Sequence, residues 1–218
     1  MIISKPNYYI LQLSFAVIIL SFLISQTRAE PTVRLSDGVT TVQLGADFVG
    51  GLEGLGVTPS AIEPGTLNDG VAIFPVVAGG LDLETSSGDI FHSGGLSLSA
   101  ADGTIVELFN FIIDNSGDQP VLTALGTLNG DLAGRFPLFN LDFTNALVEA
   151  SETDILVTDV ILSLTANGAD GLNAAFSVDA FSENSNIGTA NIESVTDSPE
   201  DADTSTDDTD TPADDTGL

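Results

Sequence analysis

Apolar and polar positions alternate in short runs between about residues 39 and 194. "VTTVQL", "VAIFPVV", "GLSLSA", "TIVELFNFIID", "PVLTALGTL", "FPLFNLDF" and "DILVTDVILSL" are rich in β-branched and aromatic residues, and "DG", "GG", "SSGD", "NSGD" and "NG" punctuate them. Short strands separated by turn residues at this spacing predict an all-β domain, an antiparallel β-sandwich of immunoglobulin-like type. The run from Thr104 to Asp114 is apolar on both faces, with Ile105, Phe109, Phe111 and Ile113 on one and Val106, Leu108 and Ile112 on the other. That pattern suits a central strand covered on both sides. "FPLFNLDF" alternates more cleanly; Phe139, Leu141 and Phe143 are expected to point inward, and Leu138, Asn140 and Asp142 to share the other face.

The period changes once. In "LTANGADGLNAAF", Thr165 can cap a first turn, and Ala169, Leu172 and Phe176 then recur at i, i+3 and i+7. This predicts one short helix near the C-terminal end of the domain, kept to two or three turns by Gly168 and Gly171.

The two ends of the chain read differently. Lys5 precedes an apolar run from Ile10 to Ile24, which is followed by Thr27 and Ala29 at a small-residue site. Residues 1–29 are therefore expected to be a secretory signal peptide. The run is shorter than the roughly twenty residues that span a bilayer. This predicts an extracellular or periplasmic protein with no membrane span after cleavage. Residues 30–38 then form a linker, 39–194 the β-domain and 195–218 an acidic tail. The tail is Asp, Thr, Ser and Pro with almost nothing apolar to bury, so disorder is expected. Its carboxylates invite comparison with a calcium loop, but counting from Asp203 the glycine and glutamate positions of such a loop hold Asp208 and Asp214. Diffuse cation association is the expectation, and no metal site is assigned.

Charge narrows the function. Beyond Ala29 the chain carries Arg34 and Arg135 against all 32 Asp and Glu, a net charge of 2 − 32 = −30 with its single histidine neutral. Such a surface repels phosphate backbones, which excludes nucleic acid as a partner. Crowded carboxylates are also expected to have raised pKa values. The chain has no cysteine, so stability must come from burial.

The lone histidine, His92, sits in "GDIFHSGGLSL". Straight alternation puts Ile90, His92, Leu96 and Leu98 on one face. A β-bulge at Gly94-Gly95 is the favoured reading, because it places Phe91 inside with Leu96 and Leu98 and turns His92 outward. Either register gives His92 a structural role. One histidine cannot complete a zinc site. His92 and Ser93, adjacent on a strand, face opposite ways and cannot pair as base and nucleophile. No catalytic residue is assigned; a carboxylate-pair hydrolase stays open.

From "GGLDLETSSGDIFHSGGLSLSAADGTIVELFNFIID" through "RFPLFNLDF" to "LSLTANGADGLNAAF", the chain resembles the HtaA-like domain of bacterial secreted and cell-surface haem-uptake proteins. It is also similar to secreted bacterial proteins carrying a "G-x-I-x-H-S-G-G-L" run. The matching features are a small-residue strand (His92 to Leu98), the Asp102-Gly103 turn, an apolar strand (Thr104 to Ile113) and a terminal helix (Leu164 to Phe176). The resemblance implies a β-sandwich with a small helix. Its haem ligands, an early tyrosine and a histidine just before the Asp-Gly turn, do not carry over: both tyrosines are Tyr8 and Tyr9, and Ala101 precedes the turn.

The leading expectation is a secreted, acidic, non-enzymatic β-sandwich module of the cell surface or extracellular matrix, with no cofactor, an unidentified extracellular partner and an open oligomeric state. The alternative is a haem or small-ligand binding protein of HtaA type with altered ligands, for which His92 is the candidate cofactor-binding residue.

The charge imbalance predicts that salt stabilises the fold, since the Debye length shrinks to about 3 Å at 1 M salt. Thermal unfolding followed by circular dichroism should move to higher temperature with added NaCl. A flat or falling melting temperature would show that the carboxylates are not in net repulsion.

Overall fold

A computed structural model describes residues 32–82, 87–151 and 153–197. Along the chain lie β1 (Thr32–Leu44), α1 (Ala46–Gly54), β2 (Val57–Ile62), β3 (Thr66–Asn68), β4 (Val71–Asp82), β5 (Gly88–His92), β6 (Gly95–Ala100) and β7 (Ile105–Asp114). There follow β8 (Val121–Leu128), β9 (Asp131–Asp142), β10 (Leu147–Ala150), β11 (Asp154–Leu164), α2 (Ala166–Phe176) and β12 (Asn186–Asp197). The all-β, antiparallel expectation holds. The immunoglobulin-like sandwich does not: β7, β5, β4, β1, β12, β11, β9 and β8 pair in that order, and β8 pairs back onto β7, closing an eight-stranded barrel. Closure is possible because β7 pairs along one edge with both β6 and β5 and along the other with β8. Within this circuit every strand has a neighbour on both sides, β9 meeting β11 over Phe139–Asp142. β2, β3 and β10 extend the sheet from β6, β4 and β11.

β1 begins at Thr32, so most of the stretch expected as a linker is strand, and β12 runs past residue 194 to Asp197. The first strand holds because Arg34 and Leu35 pair on one side with Asp197 and Thr196 and on the other with Gly80 and Gly79. The residues expected to form a signal peptide and the rest of the expected tail lie outside the described residues.

Alternate residues fill the barrel. Val42, Leu44, Phe74, Val76, Ile90, Leu108, Ile113, Val160, Leu162 and Ile192 are buried inside, while Thr41, Gln43, Glu107, Asn191 and Glu193 lie on the outer, more exposed face. An outer-membrane barrel has the opposite polarity. No helix among the described residues is long and apolar enough to cross a membrane.

Two irregularities re-aim side chains that simple alternation misplaces. In β7, Asn110 takes φ 50 and the register slips between Phe109 and Ile112. Val106 and Leu108 before the slip, and Phe111 and Ile113 after it, are therefore all buried, and the two-faced reading of this strand fails. Arg135 ties the bulge down: its Nη2 donates to the Asn110 carbonyl at 2.9 Å and its Nη1 to Thr123 Oγ1 at 3.0 Å. In β9 the register slips between the pairs Leu122–Phe139 and Thr123–Pro137. Leu138 is thereby buried beside Leu141, contrary to its expected outward face, while Phe139 and Phe143 are half-buried against the core.

α2 forms where its cap predicts. Thr165 Oγ1 accepts from the Gly168 amide at 2.9 Å, and Ala169 and Leu172 are buried. The bend between β5 and β6 differs from expectation. A one-residue slip does lie here against β7, since Phe91 pairs with Ile112 and Gly95 with Phe109 and Gly94 takes a positive φ, but it does not turn His92 outward; on the other edge β4 slips between Val76 and Ala78. His92 stays inside with Ile90 and Leu98, and Phe91 is 38% exposed. The two glycines also serve close approach. Gly94 has φ +79, and a Cβ there would overlap the Gly65 amide; a Cβ on Gly95 would overlap the Leu108 carbonyl and Phe109.

Two alanine substitutions should part company in denaturant midpoints. Gly95→Ala should destabilise by about 1–3 kcal/mol through overpacking. Gly50→Ala, within α1 and with open space around its new methyl, should stabilise by about 0.5–1 kcal/mol.

Candidate functional site

His92 lies inside the barrel at 5% exposure. Its Nδ1 is 3.3 Å from the Phe111 carbonyl, which can only accept, so Nδ1 carries the proton. Nε2 then accepts from the Thr40 hydroxyl at 2.7 Å. Burial pushes the imidazole pKa down to about 4, with hydrogen bonds to the backbone of Phe111 and Ile90 offsetting part of the shift. The residual cavity beside the ring is about 40 Å³, walled by Val42, Phe74, Leu108, Leu138 and Leu162. Both ring nitrogens are thus engaged, and the space holds a few water molecules at most. The outward placement expected for His92 is corrected, because the β4 slip preserves straight alternation along its own strand.

A larger opening lies at the barrel end where α1 and α2 sit. It is a cleft of about 460 Å³, walled by Phe48, Leu52, Leu55, Leu164 and Phe181, with Gly51 on its floor. Asp47, Ser185 and Asn186 supply its polar edge. Leu52 anchors α1 in the core with no exposure. The Asn173 side chain fixes the opposite wall by donating to the Phe181 carbonyl at 2.7 Å and accepting from its amide at 2.9 Å. Phe176 packs on Phe181, ring centroids 6.5 Å apart. Gly50, Gly51 and Gly54 leave one side of α1 bare: a Cβ at any of them would meet nothing within 4 Å.

Sequence reasoning missed this cleft because it missed α1. The signal was present in Phe48, Leu52 and Leu55 at helical spacing, but three glycines within nine residues masked it.

Elsewhere, three carboxylates in turns are shifted. Asp102, Asp114 and Asp142 are held below the usual range by hydrogen bonds from Thr104, Ser116 and Thr144 respectively. These local bonds reverse the upward shift expected from crowding. Among the described residues no group of three or more His, Cys, Asp or Glu is placed to hold a metal ion.

No family model matches the chain, and no curated protein matches it in sequence. Its fold is similar to that of the C-terminal domain of HtaA from Corynebacterium glutamicum, at TM-score 0.61 and 17% identity over 76% of this chain and 99% of that one. The N-terminal domain of HtaA from the same organism gives TM-score 0.59 and 14% identity over 75% of this chain and 99% of that one. HtaB, a haem-binding protein of C. glutamicum, gives TM-score 0.52 and 12% identity over 76% and 96%. The fold is HtaA-like, as the sequence resemblance implied.

The residues of the cleft do not supply what a haem iron takes from a protein, since its lining holds no His, Tyr, Cys or Met. Nor does either arginine beyond Ala29 line it. A macrocycle seated here would be held by apolar contact alone.

The buried imidazole has a pH consequence. Its pKa is about 4 when folded and 6.5 in its ordinary state, so the unfolded chain takes up the proton first as pH falls. The stabilising contribution is complete above about pH 6.5 and is lost between there and pH 4, by on the order of 3 kcal/mol. Wild type should lose more stability between pH 7 and pH 4.5 than His92→Gln, measured by denaturant unfolding at each pH. Equal losses would show that His92 does not carry this dependence.

Proposed function

We propose that this chain is a non-enzymatic binding domain for a small, flat, largely apolar ligand, seated in the cleft between α1 and Phe181. Haem-type macrocycles are the first class to test. The observation that carries this reading is Gly51, the glycine of α1 that lines the cleft. Each glycine costs a helix up to about 1 kcal/mol relative to alanine, and no packing inside the protein uses the space it leaves. A flat ligand lying against Gly51, with Phe48 and Phe181 on either side, makes use of it. The shared fold with HtaB supports a binding domain over a surface or matrix module that binds nothing. The signal-like N-terminal sequence supports an extracellular or cell-surface setting.

Binding of this kind rests on removing apolar surface from water. His92 plays no part in it, being enclosed in the barrel with both nitrogens engaged. Iron should therefore add little affinity, and a ligand's carboxylates should weaken binding in a domain of this charge.

Hemin and iron-free protoporphyrin IX, titrated separately and followed by their Soret absorbance, test this. Both should saturate at one per chain with affinities within about tenfold, a difference of about 1.4 kcal/mol. Gly51→Trp should abolish both, and His92→Gln should change neither. Failure of both macrocycles to bind would overturn the proposal, as would hemin binding that disappears in His92→Gln.

A further inference from the structure

The barrel has a second mouth, at the end opposite the helices. A pocket of about 380 Å³ opens there, within the range of small-molecule sites. Its deep wall is Ile90, Ile113, Ile155, Val157 and Ile192, inward-facing residues of β5, β7, β11 and β12 that are each buried. Val148 and Ala150 of β10 cover it from the side. β10 pairs only with β11 and has every residue exposed, Leu147 and Val148 at 62% each. It is a short flap carrying apolar side chains that the barrel itself does not bury.

The chemistry of the wall limits the occupant. The deep surface is entirely branched aliphatic, with Phe143 the single aromatic residue in the lining. That suits a flexible hydrocarbon chain better than a ring system. The charged residue in the lining is Asp82. Asp89, Asp114 and Asp154 stand at the strand ends of the same mouth, three carboxylates against Arg34 near the start of β1. An anionic head group would meet this field unfavourably, and a cationic one favourably.

We propose that this mouth is a binding site for the aliphatic tail of a small cationic amphiphile. The tail enters beneath β10 onto Ile113 and Ile155, and the head remains in water among the carboxylates. The site is separate from the cleft beside α1, and its test does not depend on that cleft's ligand.

Decyltrimethylammonium and decanoate share a tail length and differ in head charge. Each is titrated into the full chain below its micelle concentration, with binding read by calorimetry and by isoleucine methyl NMR. The cation should bind saturably at one per chain, shift the methyls of Ile90, Ile113 and Ile155, and bind at least tenfold more tightly than decanoate at low salt. Ala150→Trp, which fills the mouth from an exposed position, should weaken the cation at least tenfold. Val148→Asn provides a second, milder block and should weaken it in the same direction. Hemin titration should be unchanged in both variants, whether or not hemin binds wild type. The proposal is overturned by non-saturable binding of the cation, by methyl shifts absent from these three isoleucines, by decanoate binding as tightly as the cation, or by unchanged affinity in both variants while they melt like wild type.

Discussion

The close approach at Gly94-Gly95 is the constraint on which the rest of the barrel depends. There the chain leaves β4 as a neighbour and takes up β2, while staying paired with β7 on its other side. Three backbones meet with no room for a β-carbon. The strand gains one residue on β7 at the bend, and its inward positions still stay in phase from Ile90 through His92 to Leu98. β7 can then keep two partners on one edge and β8 on the other, which is the pairing that closes the circuit. The same phase encloses an imidazole among aliphatic side chains. That enclosure is tolerable because the ring stays neutral and has Thr40 and the Phe111 carbonyl as partners.

What the sequence disclosed follows from how local each feature is. Strand content, turn positions and the Thr165 cap depend on residues a few positions apart, and alternation or helical spacing reveals them. Barrel closure depends on β7 matching β8 in length and register, which no periodicity reports, so the same runs read as a sandwich. Asn110 and Leu138 show the same limit: a single bulge inverts every side chain beyond it. The glycine pair was visible as a place for a bulge, but the close approach to Gly65 and Leu108 that also requires it arises from distant parts of the chain. His92 could be singled out as the one histidine, yet the cleft that now matters arises from a helix whose glycines made it read as loop. Its far wall, Phe181, is held by Asn173 from a distant part of the chain.

The two ends of the barrel differ in kind. One presents bare helix backbone between aromatic rings and is suited to flat molecules. The other presents branched aliphatic side chains under a short flap and is suited to flexible ones. The packed layer around His92 separates them, and its cavity of about 40 Å³ is too small to be a passage. Occupants at the two ends would therefore not compete for space. Any coupling between them would have to run through the strands that both ends share. The acidic surface acts on both sites alike, disfavouring anionic ligands without choosing among neutral ones.

The pairing of β1 with β12 sets how the domain meets mechanical load. Arg34 near the start of β1 lies opposite Asp197 at the end of β12, and the two strands run antiparallel from there to Leu44 and Gly188. Tension delivered through Thr32 and Asp197 would pull this pair apart from one end. The ladder would open as a zipper, one hydrogen bond at a time, rather than in shear with all bonds loaded together. A barrel joined this way yields to a weak steady pull at the seam between β1 and β12.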